Sequence, residues 1–439
     1  MRNLGSLALA ALVLFGATSL AAQTTYIHAG HLIDGRSDQP RSQVTIVVED
    51  NRIASVESGF QTPPSGARLV DLSGSWVMPG FIDMHVHLEG ETSPQRYVER
   101  FTLNPEDMAF RSTLYARRTL EAGFTTVRDL GGSGVNTGLR NAITAGVVIG
   151  PRILSVNHGL AVTGGHGDPT NGYRRGLMPE TSPRIGVVDG HAAAMEGVRH
   201  QIKEGADWIK ITSTGGVLSV AREGQRPQFT EDEIRTIVET AADWGVLVAA
   251  HAHGDEGMQR AVRAGVKTIE HGTLMSEETM RLMAELDTYY VPTITAGKEV
   301  EALAQIEGYY PDVVVPKALE LGPQIQDTFG RAWRAGVPIA FGTDAGVFKH
   351  GENAREFVYM VETGYPPMDA IRSATGVNAR VLGMEDRIGA IEPGLLADII
   401  AVDADPLSDI SALRDVSFVM KDGIVYKADG EATVEGIVR

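Results

Sequence analysis

Pro79-Gly80-Phe81-Ile82-Asp83-Met84-His85-Val86-His87 is the stretch on which the reading of this chain turns. Phe81, Ile82, Met84 and Val86 make an apolar strand that ends on two histidines two residues apart. Side chains along a strand repeat every second residue, so His85 and His87 point the same way. Two imidazoles converging from the C-terminal end of a buried strand can ligate one metal ion. A His-x-His pair on a surface strand has the same local pattern, so the decision rests on whether other strands also end in ligands.

Strand-like runs recur at 81–84, 125–128, 152–156, 208–212, 246–250, 268–269, 289–293 and 338–341. Helical stretches separate most of them, among them 191–204, 231–244, 255–264, 276–286 and 324–335. Gly205, Gly245, Gly265 and Gly336 stand where helix C-caps would feed the next strand. Eight strands alternating with helices predict an α/β fold, a (β/α)8 TIM barrel. A doubly wound open sheet is disfavoured because no G-x-G-x-x-G follows the first strand.

Both ends of the chain read differently. Short β-segments broken by turns lie at 25–29, 44–49, 52–56 and 68–71, and again at 388–391, 399–402, 418–421 and 424–426. Asp422-Gly423 is a hairpin turn signal. Neither end has enough strands to close a core of its own, so the two are read as halves of one small β-sandwich. The expected organisation is a signal peptide at 1–21, β-sandwich halves at 22–79 and 387–439, and the barrel at 80–386. The signal reading rests on Arg2, the apolar run 7–15 and the small-residue site Ser19-Leu20-Ala21. It implies an exported protein, periplasmic or secreted.

In such a barrel the functional side chains gather where strands end. Those positions hold His85 and His87 on the first strand, Lys210 on the fourth, His251 and His253 on the fifth, His271 on the sixth and Asp344 on the eighth. The whole chain has only 12 histidines, so five at one rim is not a chance grouping. Lys210 sits inside the apolar run Trp208-Ile209-Lys210-Ile211-Thr212, where an unpaired ammonium is costly. Its amine can instead add to CO2 and give a carbamate, an anionic ligand able to bridge two ions. His158 and His166 lie in the loop after the third strand, where a loop-ordering hydrogen bond and a substrate contact are equally open readings. Arg128 and Asp129 read as a pair behind the ligands, Tyr289 and Tyr290 as barrel packing, and Arg222 and Arg226 as a solvated loop. Gly131-Gly132-Ser133-Gly134 lacks a following Lys-Ser/Thr and reads as a turn rather than a phosphate cradle.

A formal charge of −17 argues against nucleic acid and anionic membrane as partners. The absence of cysteine excludes disulfides and thiolate zinc sites.

The order H-x-H, Lys, His, His, Asp on strands one, four, five, six and eight resembles the metal-dependent amidohydrolase superfamily. Within it, Thr126-Val127-Arg128-Asp129, Thr163-Gly164-Gly165-His166, His251-Ala252-His253-Gly254, Ile269-Glu270-His271-Gly272 and Gly342-Thr343-Asp344 are most similar to one branch. That branch holds the Xaa-Pro dipeptidases (prolidases), carboxypeptidase-like enzymes and ochratoxin-degrading amidohydrolases. The resemblance implies two divalent ions, zinc, with His85, His87 and Asp344 on the first, His251 and His271 on the second, and N-carboxylated Lys210 between them. It also implies a homo-oligomer. His253 is then left for the substrate, with His166 and His158 as further contacts.

The expected reaction is hydrolysis of an amide to a C-terminal amino acid by a hydroxide shared between the ions, with Asp344 as the proton shuttle. The expected substrate is a small molecule with a free carboxylate: an Xaa-Pro dipeptide, an N-acyl amino acid or an ochratoxin-like amide. A mononuclear deaminase or imidazolone-type ring hydrolase would usually lack the lysine. A lactonase or phosphotriesterase shares the two-metal centre. A non-enzymatic scaffold would have lost ligands, and every position here is filled. For export, N-terminal sequencing of protein recovered outside the cytoplasm should begin near Ala22 or Gln23; an intact Met1 would overturn it.

Overall fold

The computed structural model describes residues 24–434 apart from Glu223, so the expected signal segment lies outside the described residues. The barrel strands are Phe81–Val86, Phe124–Asp129, Arg152–Ser155, Ile209–Thr212, Val248–Ala252, Thr268–His271 and Tyr289–Val291. The strand Phe81–Val86 is buried at every residue, as a parallel strand covered on both faces must be. The first three pair in parallel as one sheet and the next four as another. Leu160 bridges the two through Ile211. The eighth run is held by bridges rather than a regular strand. Ile339 pairs with Tyr290 on one side, and the Met84 N–H donates to the Phe341 carbonyl on the other.

The helices fall where the glycine punctuation puts them: Gly190–Lys203, Glu231–Ala242, Asp255–Arg263, Glu277–Glu285 and Ile325–Arg334. Glu231–Ala242 starts on a capping box in which Thr230 and Glu233 satisfy each other's backbone N–H groups. No helix among the described residues is long and apolar enough to cross a membrane.

The β-domain expected from both chain ends is present, and its strands form one continuous eight-stranded sheet. The seam is the antiparallel pairing of Arg68–Pro79 with Ile399–Val402, Pro79 opposite Ile399. Ile27, Ile46 and Val77 from one end share an apolar cluster with Ile399, Ala401 and Phe418 from the other. Asp422-Gly423 does turn a hairpin, with Lys421 paired to Ile424. One expected strand is absent: 388–391 is a bend. Ile388 and Ile391 are buried, and the Ile391 N–H donates to the Asp34 carbonyl. The apolar residues there report burial, not pairing.

Arg152 fastens the β-domain to the barrel. Its guanidinium bonds Asp398 at 2.7 Å and Asp422 at 2.6 Å, and Asp398 is buried. Removing one partner of such a pair leaves a charge stranded away from water, at roughly 3 kcal/mol or more. Arg152→Met should therefore lower the urea midpoint markedly, whereas the double variant with Asp398→Asn should recover part of the loss. Additive losses would show that the pair is not coupled.

Candidate metal centre

One cavity of about 590 Å³ opens at the C-terminal ends of the barrel strands, and His85, His87, Lys210, His251, His253, His271 and Asp344 all line it, with His158 and His166 in its wall. His271 and Asp344 are held with positive φ, 71° and 60°. Non-glycine residues rarely adopt that conformation, and strain of this kind is retained where the surroundings fix a side chain for a task.

The orientation of each ring follows from its hydrogen bonds. The Nδ1 of His85 lies 2.9 Å from a Glu270 carboxylate oxygen, and the Nδ1 of His87 lies 2.9 Å from the Gly131 carbonyl. Both partners only accept, so both Nδ1 atoms carry the proton. Burial holds His87 down to about 4 and His85 well below its ordinary value, so the rings are neutral and each Nε2 is a bare lone pair. These two lone pairs are 3.3 Å apart, a contact with no proton in it. Asp344 Oδ1 stands 3.5 Å from the first and 3.3 Å from the second, buried and without a hydrogen-bond donor. Three electron-rich atoms facing one another repel, and a cation between them removes the conflict. The donor set fits a divalent metal.

His271 joins the same knot, since its ligand atom, one of His85 and one of Asp344 all lie within 4.8 Å of one another. Its Nδ1 is 2.8 Å from the Thr293 hydroxyl. His251 presents the opposite edge: its Nε2 donates to the Gly215 carbonyl at 3.0 Å, which leaves Nδ1 free. His253 is fixed through Nδ1 by the Thr273 hydroxyl at 2.8 Å and stacks on His271. His166 stacks on His251 with ring centroids 4.4 Å apart, in space that exists because Gly216 has no side chain.

Lys210 makes no hydrogen bond or ion pair with a described residue, so the ordinary reading of a buried lysine capped by a carboxylate does not hold. Burial pulls its pKa down, and it pushes that of Asp344 up. A depressed lysine carries the neutral amine that carboxylation requires.

Other groups that build the site take roles different from, or absent from, the sequence reading. Arg128 and Asp129 do not pair with each other. Arg128 donates to Glu270 at 2.8 Å and to the Met84 carbonyl, whereas Asp129 accepts from Leu88 and Asn136. Glu270 therefore orients His85 with one oxygen and holds Arg128 with the other. Lys317 reaches under the loop after the fourth strand and donates to the carbonyls of Gly216, Ser219 and Ala221. The glycine-rich loop does hold an anion, but an internal one. The Glu89 carboxylate accepts from the Ser133 and Asn136 N–H groups, in a place where a Cβ on Gly132 would collide with it.

Residues 76–427 match the model of the Amidohydrolase family. The chain belongs to that family. Ochratoxinase of Aspergillus niger is 32% identical over 429 residues, covering 93% of this chain and 88% of the relative. A crystal structure of an Xaa-Pro dipeptidase with bound methionine in the active site superposes with a TM-score of 0.90 at 50% identity, covering 92% of this chain and 100% of that one. A prolidase complexed with N-methylphosphonate-L-proline gives 0.83 at 33% identity, covering 92% and 100%. The chain thus falls in the prolidase and ochratoxinase branch, and it is a hydrolase of amide bonds. The family is metal-dependent, in keeping with the donor set.

The carboxylate behind His85 can be tested directly. Ligand-orienting partners of this kind contribute about 10- to 100-fold in metal affinity. Glu270→Gln should weaken metal retention against a chelator by that order and lower the thermal midpoint. Unchanged retention would mean that Glu270 does not position His85.

Proposed function

We propose that this amidohydrolase is a binuclear enzyme that releases a C-terminal amino acid from an acyl or aminoacyl group. The observation that carries the reading is the convergence of His85 Nε2, His87 Nε2 and Asp344 Oδ1 beside an unpaired, buried Lys210. His85, His87 and Asp344 would hold one ion, and His251 and His271 the other. The Lys210 amine would add to CO2 and lose one proton, offering two carboxylate oxygens between them. Bound zinc ions would supply a water of lowered pKa and polarise the scissile carbonyl.

The remaining steps belong to the chain. Asp344, whose pKa burial raises, takes the proton of the attacking water and passes it to the departing amide nitrogen. An amide nitrogen leaves poorly unless protonated, so a shuttle at that position is required. Burial holds His166 and His253 down to about 3, so they serve as neutral hydrogen-bonding groups toward the substrate, with His158 beside them. The relatives' bound methionine and phosphonate-proline are amino-acid ligands, and they support this substrate class. Export after cleavage near residue 21 and assembly into a homo-oligomer remain part of the proposal.

Elemental analysis should give about two metals per chain. Lys210→Ala should lose one or both ions and nearly all turnover; wild-type metal content and rate in that variant would overturn the bridge. In a panel of Xaa-Pro dipeptides and N-acyl amino acids, free acids should be cleaved well ahead of their C-terminal amides. Equal kcat/KM for acid and amide would refute the carboxylate reading.

A further inference from the structure

Three cationic side chains line the cavity: Lys210, Arg100 and Arg96. Lys210 lies among the metal donors. Arg100 is occupied, since it donates to the Pro169 carbonyl and lies over the Tyr173 ring. Arg96 differs from both. Its guanidinium makes no hydrogen bond or ion pair with any described residue, and its NH1 nitrogen is fully buried. A buried donor without an acceptor costs free energy in the empty enzyme, and a guanidinium is charged at every working pH.

Carboxylates are not lacking nearby, but Asp344 belongs to the metal donors and the others are engaged elsewhere. Glu89 is taken by the loop N–H groups of Ser133 and Asn136, Glu91 accepts from the His350 N–H, and Glu99 pairs with Arg111 at 2.7 Å. The helix Arg96–Thr102 that carries Arg96 is tied down by the neighbours of Arg96 instead. The Tyr97 hydroxyl donates to the Leu218 carbonyl at 2.9 Å, and Arg100 reaches Pro169. Arg96 is thus held over the cavity by a fixed support and left without a partner. It lines the same cavity as His87 and Asp344.

We propose that Arg96 binds the carboxylate of the substrate's released amino acid and so sets the preference for free acids. This rests on the amide-hydrolase reading above and names the group that reads its substrate. A planar guanidinium fork matches a carboxylate with two parallel bonds, which neither a neutral imidazole nor a backbone N–H provides. Val217, Leu218, Val300, Leu321 and Ile325 give the same cavity an apolar wall for the uncharged part of the substrate.

The test is equilibrium binding of the product-like acid L-phenylalanine and of L-phenylalaninamide to the metal-loaded full chain by calorimetry, with turnover of the dipeptide and N-acyl panel measured separately. The wild type should favour the acid. Arg96→Met should weaken acid binding by about tenfold to a hundredfold, as loss of a charge-assisted pair implies, and leave the amide within twofold. Arg96→Lys should fall between, because it keeps the charge and loses the fork. Both variants should melt close to the wild type, since the Arg96 guanidinium makes no hydrogen bond or ion pair with a described residue. Equal binding of acid and amide by the wild type, or an unchanged ratio in Arg96→Met, would overturn the assignment. The two readings fail separately. An acid preference lost in Arg96→Met, in an enzyme that cleaves none of the panel, would remove the proposed substrate class and keep Arg96. Cleavage with the acid preference intact in Arg96→Met would do the reverse.

Discussion

A single ion pair in the barrel interior, Arg128 with Glu270, holds the metal centre to the fold. Both side chains are fully buried, and neither can be satisfied by water. Arg128 ties three strands together, its own, the first through the Met84 carbonyl and the sixth through Thr268 and Glu270, and lies 4.5 Å over the ring of Trp208, the residue just before the fourth. Breaking a buried pair from one side costs on the order of 3–5 kcal/mol. The brace is therefore strong, and its far oxygen is the one that fixes the proton of His85. Asp83 adds a second lock, accepting from His85 N–H and from Thr343 N–H and hydroxyl, so the first strand cannot shift against the segment carrying Asp344.

The barrel and its rim of ligands were legible in the sequence because both are written in local pattern. Apolar runs ending in His, Lys or Asp, with glycine after each helix, mark strands and their C-terminal ends regardless of what lies across the barrel. Glu270 was not legible, for a physical reason. Strict alternation sends Glu270 and His271 to opposite faces, but the left-handed backbone at His271 breaks that alternation and lets both serve the site. Arg128 and Arg96 failed differently. Whether an arginine is paired depends on residues distant in the chain, and no local pattern reports it. The bend at 388–391 shows the converse limit, since burial alone imitates a strand.

The site divides into two kinds of support. The metal donors stand on barrel strands or at their ends and are oriented by carboxylates, threonine hydroxyls and loop carbonyls. The walls that would meet a substrate are loops and helices beyond the strands, several of them tied by side chain to backbone: Lys317 to three carbonyls, Tyr97 to Leu218, Glu89 to the loop before helix Val135–Thr144. A loop held by a few such bonds can change its lining residues without disturbing the strands beneath. The reaction and the choice of substrate thus rest on separate parts of the molecule.

The seam between Pro79 and Ile399 carries a consequence for the order of folding. The strand Arg68–Pro79 has one sheet partner nearby, Thr24–Leu32, and the other far along the chain, Ile399–Val402, and it runs directly into the strand that leads to His85 and His87. Closing so long a loop is slow and costs chain entropy before any contact repays it. While the polypeptide is being synthesised, that strand keeps one unpaired edge until Ile399–Val402 have emerged. Completion of the sheet on that side of the first histidine strand therefore waits for Ile399–Val402.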